Sequence, residues 1–272
     1  MKFSVDKVQI DLNKPPVSIA IPLEFDGSQP NHFGADLASA TPMKSGDFIG
    51  DTRQGGSCNA EQITFNPHCN GTHTESISHV INELIPPHEV IKQPIMKAYV
   101  LSLTPQVFTS VDDNKDSYQP TAKGSDLMLC KKMFTAVKKE IQSNVKALII
   151  RSLPNSESKL NQVYSESDQP PFFSNQAIQW LADHTQIEHL LVDMPSIDRL
   201  HDDGLLSNHR IFWNIEAGSH QLAENHYCHK TITEMVFVPS EIKDGHYLLD
   251  LQIPRFNLNA VPSNPLLYQL KF

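Results

Sequence analysis

Between His68 and His79 the chain reads His-Cys-Asn-Gly-Thr-His-Thr-Glu-Ser-Ile-Ser-His, so three His, one Cys and one Glu fall within twelve residues. All of these side chains bind divalent metals, and imidazole and carboxylate also move protons. Whether they converge depends on the backbone. If it is extended, Cys69, Gly71, His73, Glu75, Ile77 and His79 share one side. If a helix begins near Ser76, Glu75 and His79 stand four apart and still meet. Either geometry brings His73, Glu75 and His79 together. The apolar residues of 80–85 then anchor the segment, and Pro86-Pro87 ends it.

On either side the hydrophobic pattern alternates between strand and helix. Residues 8–12 and 17–23 have the period of strands. Residues 24–50 are rich in Gly, Pro, Asn and Asp and predict a long loop, a kind of segment that often carries function. Strands are predicted over 96–103, 146–151 and 189–193, and a polar surface connection over 112–125. A helix is predicted over 126–143, with Leu127, Cys130, Phe134, Val137 and Ile141 on one face and Ser125 as its cap. Cys130 on that face is a small buried hydrophobe. Residues 154–171 are polar and without apolar period, suited to a flap. Ser174 caps a second predicted helix carrying Ala177, Ile178, Leu181 and Ala182. The order strand, helix, strand, helix, strand predicts an α/β layer against a more β-rich part. The expected class is α/β (α+β), one domain over 1–272, with a β-rich core and flanking helices.

Composition narrows the partners. A net charge of −9 and a pI near 5.8 argue against nucleic acid or an anionic membrane. No apolar run has the length of a membrane-spanning helix, and the N-terminus turns charged too soon for a signal peptide. Cys58, Cys69, Cys130 and Cys228 are scattered, without disulfide or zinc-ribbon spacing. A reducing, cytoplasmic setting is expected, with a small-molecule substrate.

The His68–His79 stretch resembles the signature of the cyclase family of metal-dependent hydrolases, which includes kynurenine formamidases and isatin hydrolases. That signature is His-x-Gly-Thr-His-x-Asp-x-Pro-x-His. Gly71-Thr72-His73 and His79 match it, Glu75 replaces the Asp, Ile77 replaces the Pro, and Cys69 stands at the first His, one residue after His68. Downstream, Asp193-Met194-Pro195-Ser196-Ile197-Asp198 is similar to the family's Asp-x-Pro-Ser-x-Asp. Ser196 lacks the Gly-x-Ser-x-Gly setting of a nucleophile and is given a turn-forming role. The resemblance implies the family's swivelling β/β/α fold and a homo-oligomer, dimer or tetramer.

Carried over residue by residue, the resemblance implies that His73 with Cys69 or His68 holds a first metal and that Glu75 bridges. His209 would bind a second metal, Glu234 would complete the pair, and His79 would shuttle the proton. Phe33 would line the substrate pocket, although a Phe pinning the loop is the equal alternative. Between His209 and Glu234 lie Glu216, His220, Glu224, His226, Cys228 and His229, which are either an insertion at the rim or alternative ligands. The metal would be zinc, with manganese as the alternative, and one or two ions per chain. A thiolate from Cys69 would favour zinc or iron. Glu75 is about 1.5 Å longer than Asp, which leaves a single-metal site as the alternative to a pair. The implied activity is hydrolysis of a C–N bond (amide, formamide or cyclic amide) or a C–O bond. The competing expectation is a degenerate family member that binds a ligand or metal without turnover.

Overall fold

In the computed structural model, which describes residues 2–5, 8–11, 13–108, 116–141, 144–222 and 224–271, the chain is built on one large mixed sheet. Leu12, residues 112–115 of the expected connection and the last two residues of the helix expected over 126–143 lie outside the described residues.

Among the described residues eleven strands share this sheet. In spatial order they are Lys2–Val5, Val8–Asp11, Asn264–Lys271, Gly245–Gln252, Ile95–Leu103, Ala147–Ser152, His189–Val192, Thr231–Glu234, His73–Glu75 and Ala260–Pro262, with Val17–Ser18 beside Asn264–Lys271. The four strands from Ile95–Leu103 to Thr231–Glu234 run parallel, and their outer neighbours are antiparallel. Parallel strands need both faces covered, and Ala147–Ser152 is buried along its whole length. Its side chains alternate between two cores. Leu148 and Ile150 join Leu190 and Val192 beneath the helices Asn175–His184 and Ser207–Trp213. Ala147 and Ile149 pack with Leu191, Val236 and Leu249 on the other face. The result is the mixed α/β, β-rich architecture expected from the sequence.

Ser174 caps its helix as expected, with Oγ accepting from the Ala177 amide at 3.1 Å. Two expectations are corrected. The helix expected over 126–143 is a strand, Leu127–Leu129, followed by short helices Lys131–Thr135 and Lys138–Ile141. Leu127 and Met128 pair with Gln106–Val107, and Met128 and Leu129 with Phe172–Phe173, so a three-residue apolar run goes into a small sheet rather than a helix. Cys130 then sits at a helix N-cap, still fully buried. The strand expected over 17–23 is reduced to Val17–Ser18. Beyond it only Ala20 bridges Val236, and Pro22 has no N–H to extend a ladder. No helix among the described residues is long and apolar enough to cross a membrane.

The helix Ser207–Trp213 is tied to the sheet through Asn208. Its side-chain amide donates to the carbonyls of Phe173 and Ile197, both at 2.8 Å, and its oxygen accepts from Asn175 at 2.8 Å. Substitution Asn208→Ala strands these buried partners and is expected to lower unfolding free energy by about 2–3 kcal/mol, measured by denaturant titration with an unchanged slope.

Candidate metal centre

The His68–His79 stretch folds in three pieces. Asn66 accepts from the His68 amide and caps the single turn Pro67–Asn70. His73–Glu75 is then an interior strand, between Thr231–Glu234 and Ala260–Pro262. Ser76 next caps a 3-10 turn over Ile77–His79. The strand register places His73 opposite Glu234 and Glu75 opposite Ile232. Residues two apart share a face, so His73, Glu75 and Glu234 meet on one side of the sheet. The chain turns sharply after Glu234, with Met235 at φ 54. A left-handed Met costs about 1–3 kcal/mol, and bonds from its amide to Met194 and from Thr72 Oγ1 to its carbonyl hold it there.

The side chains converge closely. His73 Nε2 lies 3.4 Å from Glu234 Oε2. His209 Nε2 lies 2.8 Å from Glu75 Oε1 and 3.5 Å from Glu234 Oε1. On the other carboxylate oxygen, His68 Nδ1 is 3.2 Å and His79 Nε2 3.8 Å from Glu75 Oε2. Two sets of donor atoms lie within 4.8 Å of one another, His68–Glu75–His79 and His73–Glu75–Glu234, with Glu75 common to both. Ligand atoms at about 2.0–2.2 Å from one ion sit roughly 3–4 Å apart, which is the spacing found here.

The buried atoms at this point lack partners among themselves. His73 Nε2, His209 Nε2 and both oxygens of Glu75 are buried with no hydrogen bond. The 2.8 Å contact of His209 with Glu75 is therefore out of line for one. The opposite ring nitrogens are fixed. His73 Nδ1 lies 2.9 Å from the Gly71 carbonyl and His209 Nδ1 lies 2.5 Å from Asp198 Oδ2. A carbonyl or carboxylate can only accept, so both Nδ1 atoms donate, and Nε2 of each ring is the atom left to face the carboxylates and to bind a metal once free of a proton. Lone pairs aimed at a common point, with tautomers locked from behind, are what a cation site requires. These residues fit a divalent metal.

Electrostatics point the same way. Burial opposes a charge on His209, but Glu75, Asp198 and Glu234 outweigh it and hold its pKa well above the ordinary value. Burial likewise opposes ionised Glu75, yet the imidazoles of His79, His209 and His68 hold it well below the usual range. Burial and Glu75 push Glu234 up, and the nearby imidazoles of His209 and His73 bring it down to about 2. His68 is opposed by burial but raised by Glu75. Burial takes His79 down to about 4. His73, Glu75, His209 and Glu234 are almost wholly enclosed, whereas the side chains of His68 and His79 keep 23% of their surface. The centre thus has a deep part and an outer, partly solvated pair.

The segment from Asp193 to Asp198 supports the cluster. Asp198 accepts from Tyr118, from the amides of Asn208 and His209, and from the His209 ring. The Ile197 amide donates to Glu234 at 2.9 Å. Ser196 Oγ accepts from the Asp198 amide at 3.1 Å, a turn contact. Asp193 binds Lys159 at 2.7 Å and so fastens the polar segment 154–171.

Two candidate residues, Cys69 and Phe33, lie away from the converging side chains. Cys69 belongs to neither donor set; it is buried, and burial followed by Glu234 raises its thiol pKa, so it stays protonated. The turn at 67–70 breaks the alternation and delivers His68 instead. Phe33 is 62% exposed, at φ 58, and its ring lies tilted against His32 with centroids 4.0 Å apart. His32 is the residue turned inward, 3% exposed, with burial lowering its pKa to about 4 against the pull of Glu234. Its flanking Phe, the larger apolar side chain, drew the sequence reading away from it. Among the described residues of 216–229 none joins a donor set. That segment packs on the motif instead, with His220 Nδ1 donating to the Val80 carbonyl at 2.9 Å.

Comparison with known proteins agrees with this architecture. The Cyclase family model matches residues 15–199, more than half of the chain and ending short of His209 and Glu234. Among solved structures, a predicted metal-dependent hydrolase from Bacillus stearothermophilus superposes with a TM-score of 0.58 at 15% identity, covering 93% of this chain and 97% of the other. Isatin hydrolase A from Labrenzia aggregata gives 0.60 at 13%, covering 93% of each. Isatin hydrolase A from Ralstonia solanacearum gives 0.57 at 12%, covering 93% and 91%. No curated protein matches the sequence. With its fold shared and its family model matched over most of its length, the chain belongs to the Cyclase family.

Proposed function

We propose that the protein is a metal-dependent hydrolase that cleaves a C–N bond of a small amide, formamide or cyclic amide, or the corresponding C–O bond. The observation that carries this reading is the set of unpaired, buried lone pairs of His73, Glu75 and His209 beside Glu234. Structural relatives described as isatin hydrolases and metal-dependent hydrolases support it.

His73, Glu75, His209 and Glu234 would hold the ion, and Glu75, reached from both sides, would bridge a second ion shared with His68. A divalent cation there supplies Lewis acidity, which polarises a carbonyl and acidifies water. With the Cys69 thiol outside the set, imidazole and carboxylate suit zinc, or manganese with less softness. His79 stands at the rim, neutral at pH 7 and 3.8 Å from Glu75. In this reading it takes a proton from the attacking water and returns it to the leaving nitrogen or oxygen. His68, stacked on His79 with centroids 4.3 Å apart, holds that ring in place.

Elemental mass spectrometry on protein purified without added metal is expected to give one to two equivalents of zinc or manganese per chain. Stripping that metal should abolish turnover of an amide and ester panel, and His79→Ala should cut kcat by about 10²- to 10⁴-fold with metal content unchanged. Apoprotein as active as metal-loaded protein would refute the proposal.

Asp198→Asn replaces an acceptor by a donor opposite His209 Nδ1, so the favoured tautomer carries its proton on Nε2. Metal affinity, measured by competition with a chelating dye, is expected to fall about 10- to 100-fold while His73-side contacts persist.

The raised His209 pKa gives a pH dependence with a definite sign. Below that pKa the metal-free ring holds a proton on Nε2 that a metal must displace, so affinity weakens as pH falls and levels off above it. Calorimetry near pH 7 in buffers of different ionisation enthalpy should register net proton release on metal binding.

A further inference from the structure

His68 is the ligand candidate that the family signature does not supply, since it stands one residue before the position of the signature's first His. Its two ring nitrogens face different partners. Nε2 lies 3.4 Å from Asn259 Oδ1 in a hydrogen bond, and Nδ1 lies 3.2 Å from Glu75 Oε2. The second contact is not a hydrogen bond, because Glu75 Oε2 is buried without a partner. An amide oxygen only accepts, so Nε2 donates, and Nδ1 is the atom left to bind a metal once free of a proton. This is the reverse of His73 and His209, whose Nδ1 atoms donate and whose Nε2 atoms face the carboxylates.

The backbone holds this arrangement from two sides. The turn Pro67–Asn70 is capped by Asn66, and its Cys69 carbonyl accepts from the His32 amide at 3.0 Å. The loop that carries His32 is braced in turn, with the Asn31 amide donating to the Gln162 carbonyl at 3.0 Å and the Asn31 carbonyl accepting from the Tyr164 amide at 2.9 Å. On the other side, Asn259 directly precedes the strand Ala260–Pro262, in which Ala260 pairs with Glu75. The Asn259 carbonyl accepts from the Ser76 amide at 3.0 Å, and Ser76 caps the turn that ends at His79. Asn259 therefore reaches both imidazoles of the outer donor set His68–Glu75–His79, by its side chain to His68 and by its main chain to the turn of His79. A metal-bound histidine commonly donates its other N–H to an oxygen that fixes its ring and tautomer. Asn259 Oδ1 fills that place for His68.

We infer that Asn259 is a positioning residue for the outer metal position, holding His68 with its proton on Nε2 so that the ring binds a divalent ion through Nδ1 beside Glu75. This rests on the metal-dependent hydrolase reading for the presence of an ion there. It makes the two metal positions unlike, a deep one served by Nε2 atoms and an outer one that depends on Nδ1 of His68 and on residue 259.

The test combines zinc titration against a competing chelator with NMR of the histidine ring nitrogens, on the full-length protein. The native protein should show two zinc-binding steps. Its His68 ring, identified by its absence in His68→Gln, should carry the proton on Nε2 both in the metal-free protein in alkaline buffer and in the zinc-loaded protein. Asn259→Leu keeps the main-chain bonds and should weaken the weaker step about 10- to 100-fold, with the tighter step and the thermal midpoint retained and the His68 proton moved to Nδ1. Asn259→Asp, which still accepts, should preserve both the step and the tautomer, and Cys69→Ser should leave both steps in place. A native His68 protonated on Nδ1, a single zinc step, two steps indifferent to residue 259, or a loss in Asn259→Leu that Asn259→Asp shares would overturn the inference. A single step with full turnover of the amide and ester panel would sink only the role of Asn259. Two steps, one dependent on residue 259, in a protein that turns over none of that panel would sink the hydrolase reading alone.

Discussion

Two carboxylates enclosed by protein, Glu75 and Glu234, set the terms for everything around them. An ionised carboxylate taken out of water is expensive unless it is paired and hydrogen-bonded. Here the compensation comes from imidazoles on three separate parts of the chain and from the Ile197 amide. None of these is close in sequence to both carboxylates, although His209 touches both. The sheet register brings His73 to Glu234, the 3-10 turn brings His79 back to Glu75, and the helix at 207–213 swings in His209. The architecture is thus inseparable from charge balance at one point, where a cation would complete what the imidazoles begin.

The second layer explains why that point is well defined. Asp198 and the Gly71 carbonyl fix two rings from behind, and Asn208 anchors the helix that carries one of them. Each of these partners is itself buried or bonded to the sheet, so the orientation of the inner atoms is set by the core and not by flexible surface chain. Rotamers locked in this way give a site the positional tolerance that chemistry demands.

Much of this was legible in the sequence because it depends on local period. The alternation of His73 and Glu75, the four-residue step to His79, the buried strands at 146–151 and 189–193 and the Ser174 cap all follow from backbone geometry and side-chain type. Glu234 and His209 were reachable only through resemblance, since pairing across more than a hundred residues leaves no local trace. The parts that local pattern left open share a cause. Leu127–Leu129 is apolar enough for a helix face or a strand, and only its partners Gln106–Val107 and Phe172–Phe173 decide. Of Cys69 and His68, which the sequence leaves as alternatives, it is His68 that reaches Glu75, because Asn66-Pro67 starts a single turn just before the extended segment. Phe33 is exposed while His32 faces inward, because a left-handed residue reverses which neighbour faces inward, and a bulky Phe is a poor signal for that conformation.

The bridge between Asn31 and Val163 joins two long irregular segments that are far apart in sequence. Because the hydrogen bonds of one segment are completed by the other, neither is a module in its own right. A deletion in the first changes the footing of the second, and a loop grafted from a relative would arrive without its counterpart. A change in either segment therefore calls for a matching change in the other, even though the chain visits the sheet three times between them, at His73–Glu75, Ile95–Leu103 and Ala147–Ser152.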